Sequence, residues 1–155
     1  LKEFDYVFTD ALTFKDNKGR RTRLWIPEET WIENEEQYMD MIVDRICSVL
    51  EEPVDIYVNP CFLPSPMDKR FDEFWTEARM NRFVEALAKS GKALEINELY
   101  IPNKAIIMKA KAAGVKFTFG SNNVTPNVSD LSYSIRMMKE CGLTAEDMYK
   151  PKVKI

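Results

Sequence analysis

Apolar residues recur along this chain at two spacings, and the alternation of the two predicts strands followed by helices. Apolar positions three and four residues apart, the spacing of one helix face, occur in four stretches: 35–50, 77–89, 101–113 and 130–141. Short runs of β-branched and aromatic residues, typical of strands, lie at 4–9, 54–58, 93–97 and 115–119. Helices between successive strands require parallel pairing with right-handed crossovers. The sequence therefore predicts an α/β fold of repeated βα units with parallel strands.

The residues at the predicted helix ends agree with this order. Thr76 is expected to cap the second helix through its side chain. Gly91 and Gly114 are expected to end the second and third helices, because glycine suits the position that follows a helix. Pro102 suits the first turn of the third helix, where its missing N–H costs nothing. The boundaries and the periodicity thus predict the same elements.

A polar segment separates the first predicted strand from the first helix. Its residues 16–19 have turn chemistry, which predicts a hairpin that pairs residues 12–14 with 23–26. The arginines of this hairpin, Arg21 and Arg23 among them, have two interpretations. A run of surface charge is typical of a solvated loop. A planar guanidinium is also suited to binding an anion, so the hairpin could act as a clamp over a site.

Length and charge limit the classes of protein to which the chain can belong. We expect residues 1–155 to form a single domain. A net charge of −3 and a pI of about 5.2 argue against a nucleic-acid partner, which requires a clustered basic face. No apolar run approaches the roughly 20 residues of a membrane span, so no membrane partner is expected. The chain begins with Leu-Lys-Glu and shows no signal peptide, and its first residue indicates a processed chain or part of a longer one.

The chain contains no histidine and three cysteines. The absence of histidine removes a histidine general base, a histidine-ligated zinc site and a Ser-His triad from within this chain. The cysteines show no Cys-x-x-Cys spacing, which predicts free thiols in a reducing, cytoplasmic compartment. Cys61 is disfavoured as a nucleophile because no histidine is present to activate it.

The predicted strands carry four motifs that follow one another in a recognisable order. They are Phe-Asp-Tyr-Val at 4–7, Asp-Ile-Tyr-Val-Asn-Pro at 55–60, Ala-Leu-Glu-Ile-Asn at 93–97 and Ala-Gly-Val-Lys-Phe-Thr-Phe-Gly-Ser-Asn at 113–122. In this order they resemble the strand motifs of the polymerase and histidinol phosphatase (PHP) family. The resemblance implies a distorted TIM-type (β/α) barrel, metal ions held at the strand ends and hydrolysis of phosphoesters. It covers nearly the whole chain, but only the C-terminal part of such a barrel.

The positions that hold metal in the PHP family differ in this chain. The resemblance places Leu12 and Asn59 where the family has histidine. It places Asn122 and Val124 where the family has the aspartate and histidine of Gly-Ser-Asp-Ala-His. The family's Glu-Ile-Asn is retained at 95–97. Half a barrel would expose strand edges and apolar helix faces, so we expect either a homo-oligomer or a missing N-terminal half.

Polar side chains lie at the C-terminal ends of all four predicted strands. They are Asp10, Asn59, Glu95, Asn97, Asn122 and Asn123. Asn and Asp are common after strands for structural reasons, since they bond to nearby backbone and tolerate unusual dihedral angles. The ends of parallel strands also meet at one edge of a sheet, where ligands gather. The presence of all six at equivalent ends favours a polar pocket.

The candidate roles follow from the chemistry of these side chains. Glu95 and Asp10 are the candidate catalytic residues, and Glu95 requires a partner because it lies within an otherwise apolar strand. The same two carboxylates are candidate ligands for Mg or Mn, which prefer oxygen, and a metal-free site is an equal alternative. The candidate substrate-binding residues are Asn59, Asn97, Ser121, Asn122, Asn123, Arg21 and Arg23.

Two functions are consistent with these residues. The first is a PHP-like, metal-dependent phosphoesterase that acts on a small anionic substrate. The second is a pseudoenzyme of the same fold that binds a small anionic or sugar-like ligand through its asparagine amides. A third, non-specific alternative is a domain with a structural or assembly role.

Overall fold

The computed structural model describes residues 3–122, 126 and 128–151. Its strands are β1 Phe8–Thr9, β2 Thr13–Lys15, β3 Arg21–Arg23, β4 Ile56–Tyr57, β5 Ala93–Asn97 and β6 Phe117–Gly120. Its α-helices are α1 Glu35–Val49, α2 Phe71–Phe74, α3 Glu77–Ser90, α4 Lys104–Ala112 and α5 Ser132–Glu140. Two short 3-10 helices lie at Pro27–Glu29 and Met67–Arg70. Among the described helices, none combines the length and the apolar character needed to cross a bilayer.

Four strands form one parallel sheet in the order β1-β4-β5-β6. Thr9, Tyr57, Leu94 and Phe117 lie side by side across it. Each strand is added to the same edge of the sheet, and crossovers between parallel strands are right-handed as a rule, so the connecting helices lie on one face. The predicted α/β class with parallel βα units is therefore confirmed.

The hydrophobic core lies between that face and the helices. Tyr57, Leu94, Ile96 and Phe117 are buried on the strand side of the core. The helices contribute their apolar stripes, such as the buried Met39, Ile42, Val43 and Ile46 of α1. In sheets of parallel strands, burial of this kind is the main force that holds the layers together.

The opposite face of the sheet carries Phe8, Ile56, Glu95 and Thr118, and we call it the open face. These side chains line a cleft of 560 Å³ whose lining contains no residue of the described helices. Phe8 is 61% exposed although it is aromatic. The sheet therefore buries one face and leaves the other accessible among the described residues.

The helix caps match the prediction at several ends. The side chain of Thr76 accepts a hydrogen bond from the backbone N–H of Arg79, and Gly91 ends α3 with a left-handed φ of 68°. The third helix begins at Lys104 and not at residue 101, because the side chain of Asn103 accepts from the N–H of Ile106 and caps it there.

Several predicted boundaries are wrong, and those of the first strand and of the hairpin are among them. The first strand is limited to Phe8–Thr9, although 4–9 was expected, because its partner β4 is itself only two residues long. The hairpin pairs Thr13–Lys15 with Arg21–Arg23 and not 12–14 with 23–26. A tight turn causes this shift: the N–H of Asp16 donates to the carbonyl of Arg20, which places residue 15 opposite residue 21.

Candidate functional site

Asn59 links the C-terminal ends of four parallel strands. Its backbone N–H donates to Glu95 Oε2 at 2.9 Å, and its side-chain Nδ2 donates to Asp10 Oδ2 at 3.0 Å. Its Oδ1 accepts from the Nδ2 atoms of Asn97 and Asn122, each at 3.3 Å. We call these five residues the strand-end cluster. The structure thus brings together five of the six side chains that the sequence placed at strand ends.

The backbone conformation of the cluster explains why asparagine occurs at two of its positions. Asn59 and Asn122 both have a φ of 51°, in the left-handed region. Asparagine tolerates this region better than other residues with a side chain, apart from the special case of glycine. In this conformation the backbone N–H and the side chain of Asn59 both reach neighbouring strand ends.

Glu95 finds its partners within the cluster. Its Oε2 atom accepts from the N–H of Asn59 and from Nδ2 of Asn97, the latter at 2.8 Å. Asn97 is almost completely buried, and its Oδ1 accepts from the N–H groups of Leu99 and Tyr100, each at 2.8 Å. Asn97 therefore fixes both the carboxylate of Glu95 and the loop that follows β5.

Gly120 provides the space that the Glu95 carboxylate occupies. A Cβ atom built on Gly120 would lie 1.8 Å from Glu95 Oε1 and 2.6 Å from its Cδ. A side chain at this position would displace the carboxylate, so glycine matters here through a close approach and not through its dihedral angles. This role of Gly120 could not be read from the sequence, because it depends on which strands are neighbours.

Asp10 joins the cluster from the other edge of the sheet. Its Oδ1 atom accepts from the N–H of Leu12 at 3.0 Å in a local turn, while Oδ2 accepts from Asn59. The side chain of Leu12 is buried in the hydrophobic core. Leu12 therefore has a packing role at the position where the PHP resemblance would place a metal-binding histidine.

The cleft on the open face has a polar end and an aromatic end. Asn59, Glu95, Asn97, Ser121 and Asn122 line its polar end. The hydroxyl of Ser121 donates to the backbone carbonyl of residue 128, so its oxygen is left as an acceptor. The predicted binding residue at position 123 lies outside the described residues.

The aromatic end of the cleft was missed by the sequence analysis. It is formed by Tyr6, Phe8 and Tyr149, of which Tyr6 is 47% exposed. The available signal was the period-2 placement of Tyr6 and Phe8 ahead of Asp10, which puts both aromatic rings on one face of the strand. No lysine or arginine is among the described residues that line the cleft.

The structure does not bring the hairpin arginines into this group. Arg23 forms an ion pair with Glu29 of the first 3-10 helix, and that hydrogen-bonded partner raises the pKa of Arg23. The backbone carbonyl of Arg21 accepts from the indole N–H of Trp31. Neither arginine lines the cleft, so the predicted anion clamp is not assembled at the strand-end cluster.

The carboxylates of the cluster are engaged by N–H groups of the chain itself. Both oxygens of Asp10 and the Oε2 atom of Glu95 already accept from N–H groups. Asn59 turns its amide nitrogen, and not its oxygen, toward Asp10. Within the part of the chain that the structure describes, no three Cys, Asp or Glu side chains are grouped so that they could hold an ion. The described part of the cluster therefore offers two carboxylates, without a third Cys, Asp or Glu side chain beside them, to the divalent metal that the PHP resemblance implies.

The three cysteines of the chain are free thiols. Cys61 is buried, and burial raises its pKa well above the ordinary value for a thiol. A thiol that stays protonated is a poor nucleophile. That Cys61 is not a catalytic residue stays a prediction.

Comparison of the chain with protein-family models, with curated proteins and with solved structures finds no match. The geometry alone therefore defines the class: an α/β protein whose four-stranded parallel sheet is covered by helices on one face and ends in an amide-rich cluster. Any closer assignment depends on the chemistry of that cluster.

Proposed function

We propose that this chain is a non-catalytic binding domain that recognises the hydroxyl groups of a neutral, sugar-like ligand at the strand-end cluster. In this proposal the chain is the C-terminal part of a PHP-like (β/α) barrel whose metal site has been replaced by asparagine. The observation that carries it is the hydrogen-bonded group of Asn59, Asn97 and Asn122 at the ends of neighbouring strands.

The donors and acceptors of the cluster suit hydroxyl groups. A hydroxyl can donate one hydrogen bond and accept two, so it pairs with amide nitrogens, carboxylate oxygens and other hydroxyls alike. Asn122 offers amide N–H donors, while Ser121 and Glu95 offer oxygen acceptors at the same end of the cleft. A small set of convergent polar groups of this kind is what fixes orientation in ligand sites.

Charge favours a neutral ligand over an anion. Asp10 and Glu95 both belong to the cluster, and the lining of the cleft contains no basic side chain among the described residues. A phosphate or carboxylate bound there would face two like charges without a compensating cation. For this reason the sugar-like ligand, and not the anionic one, is the better fit.

The aromatic end of the open face is assigned to assembly in this proposal. Tyr6 and Phe8 would pack in the interior of a completed barrel, against either the missing N-terminal half or a second copy of the chain. Exposed apolar surface of this kind favours such a partner. Sedimentation analysis measures this directly, because a monomer at all concentrations would contradict the second copy.

The binding proposal is tested by calorimetric titration with methyl glycosides of glucose, galactose, mannose and xylose, and with inorganic phosphate. The variants are Asn59→Gly and Asn122→Gly, since glycine accepts the left-handed φ of both positions without strain. Asn17→Gly, at an exposed turn position, is the matched control.

We expect at least one glycoside to bind the native chain and the Asn17→Gly control. We expect each cluster variant to bind it about tenfold or more weakly, the effect of losing one ligand hydrogen bond of about 1.4 kcal/mol. Absence of binding by all four glycosides, or equal binding by the cluster variants, would contradict the proposal.

The alternative function is the metal-dependent phosphoesterase that the PHP resemblance implies. The observation that favours it is that Glu95 and Asp10 are both linked to Asn59, so two carboxylates converge at neighbouring strand ends. Elemental analysis of the purified protein and assay of 4-nitrophenyl phosphate hydrolysis with added Mn test it. Bound metal and hydrolysis that both disappear in Glu95→Ala would support the alternative and overturn the binding proposal.

A further inference from the structure

A second cavity lies beside the strand-end cluster. It has a volume of 320 Å³ and lies between the loops that follow β4 and β5 and the start of α2. Its lining is mainly apolar, and we call it the apolar cavity; it includes Phe62, Leu63, Phe71, Leu99 and Ile101. Leu99 and Ile101 are 47% and 41% exposed, so apolar surface is accessible at this position.

Tyr100 connects the apolar cavity to the strand-end cluster. Its backbone N–H donates to Asn97 Oδ1 at 2.8 Å. Burial raises the pKa of its hydroxyl, and the side chain of Asn122 lies near enough to act in the opposite direction. Its ring lines the apolar cavity and packs edge-on against Phe62, with ring centroids 4.7 Å apart. A single tyrosine side chain thus spans the distance from the polar cluster to the cavity.

The size and lining of the cavity indicate the kind of group that it would accept. A cavity of about 150 Å³ is known to be sufficient for benzene, so 320 Å³ leaves room for a substituted ring or a short aliphatic chain. Asp68 is the one charged side chain among the described lining residues. The cavity is therefore suited to an uncharged apolar group, whose transfer from water is favourable.

We propose that the apolar cavity binds an apolar group carried by the same ligand, so that the ligand class is a glycoside with an aromatic or aliphatic aglycone. This inference rests on the proposed function, because the sugar must first be held by the cluster. A substituent that leaves the sugar next to Asn122 meets the ring of Tyr100 and enters the cavity. The cluster supplies orientation and the cavity supplies additional affinity.

The test compares methyl and phenyl glycosides of the same four sugars by calorimetric titration. The cavity variant is the double substitution Leu99→Ala/Ile101→Ala, chosen because both side chains are substantially exposed and their truncation leaves the core intact. The matched control is Met108→Ala, an exposed apolar residue of α4 that does not line the cavity.

We expect the phenyl glycoside to bind the native chain about tenfold to a hundredfold more tightly than its methyl counterpart, by burial of the ring. In the double variant, most of the preference for the phenyl over the methyl glycoside should be lost, while the affinity for the methyl glycoside stays the same. Met108→Ala should keep both the preference and the affinity for the methyl glycoside.

Three results would overturn the inference, and they differ in what they leave standing. Equal affinity for methyl and phenyl glycosides overturns the role of the cavity but leaves sugar binding at the cluster intact. If the double variant keeps the native ratio of phenyl to methyl glycoside affinity, the phenyl group binds outside the apolar cavity. This result also overturns the role of the cavity and leaves sugar binding at the cluster intact. Failure of every glycoside to bind overturns both the inference and the proposed function.

Discussion

Gly120→Ala is the substitution that most directly tests the position of the Glu95 carboxylate. The new Cβ would lie 1.8 Å from Glu95 Oε1 and 3.1 Å from Cγ, well inside contact distance. Glu95 must then rotate away and give up its hydrogen bonds to the N–H of Asn59 and to Nδ2 of Asn97. The φ of Gly120 is not in the left-handed region, so alanine itself causes no backbone strain.

The expected change in the free energy of unfolding caused by Gly120→Ala is the balance of opposing contributions. A hydrogen bond to a charged group stabilises a protein by about 1.5–3 kcal/mol, and overpacking costs about 1–3 kcal/mol. Replacing glycine with alanine stabilises the folded state by about 0.4–1 kcal/mol, because it lowers the conformational entropy of the unfolded chain. Because Glu95 is half-buried and regains water on rotating outward, we expect Gly120→Ala to lower the free energy of unfolding by about 2–3 kcal/mol.

The assay is equilibrium unfolding in urea, followed by tryptophan fluorescence, to which the buried Trp75 contributes. The control is the same Gly120→Ala change in a Glu95→Ala background, where the clash is absent. There we expect alanine to be neutral or to stabilise by up to about 1 kcal/mol. An equal cost in both backgrounds, or no cost in the native background, would refute the proposed contact between Glu95 and Gly120.

Three further predictions concern other parts of the chain. Glu98 accepts the N–H groups of Tyr133 and Ser134 at the start of α5, so Glu98→Ala should cost about 1–3 kcal/mol and speed hydrogen exchange in that turn; unchanged exchange would contradict it. Burial raises the pKa of Cys61, so its thiol should react with iodoacetamide at neutral pH only on unfolding, and rapid labelling of the native chain would be the opposing result. Burial acts to raise the pKa of Asp16, but hydrogen bonds and charge from Arg20 outweigh it and lower that pKa. The ionised Asp16 carboxylate therefore stabilises the fold at pH values above the pKa of the unfolded state, and this stabilisation is lost as pH falls through the lower pKa of the folded state. Asp16→Asn should accordingly reduce the pH dependence of the free energy of unfolding below about pH 4.

The long elements were predictable because their signals are local. The apolar stripe of α3, the cap at Thr76 and the stop at Gly91 all act within a few residues of one another, and the structure confirms each. Strand Ala93–Asn97 was predicted with its observed limits. The register of the hairpin was not predictable in the same way, because the hydrogen bond from the N–H of Asp16 to the carbonyl of Arg20 decides it.

The strand-end cluster was predictable in position but not in its bonding. Parallel strands end at one edge of a sheet, so Asp10, Asn59 and Asn122 were expected to converge, and they do. The engagement of Arg23 by Glu29 could not be foreseen, because it depends on where a 3-10 helix places its side chains. The space that Gly120 leaves for the Glu95 carboxylate could not be foreseen either, because the register between β5 and β6 brings these two residues together.

The central claim is that the asparagine amides of the strand-end cluster contact the hydroxyl groups of a neutral sugar. Heteronuclear NMR of the side-chain NH2 groups, recorded during titration with a methyl glycoside that binds, measures this most directly. We expect the resonances of Asn59, Asn97 and Asn122 to shift together and to saturate, while that of the exposed Asn17 stays in place. Saturation of binding with the Asn59 and Asn122 resonances unmoved would contradict the claim.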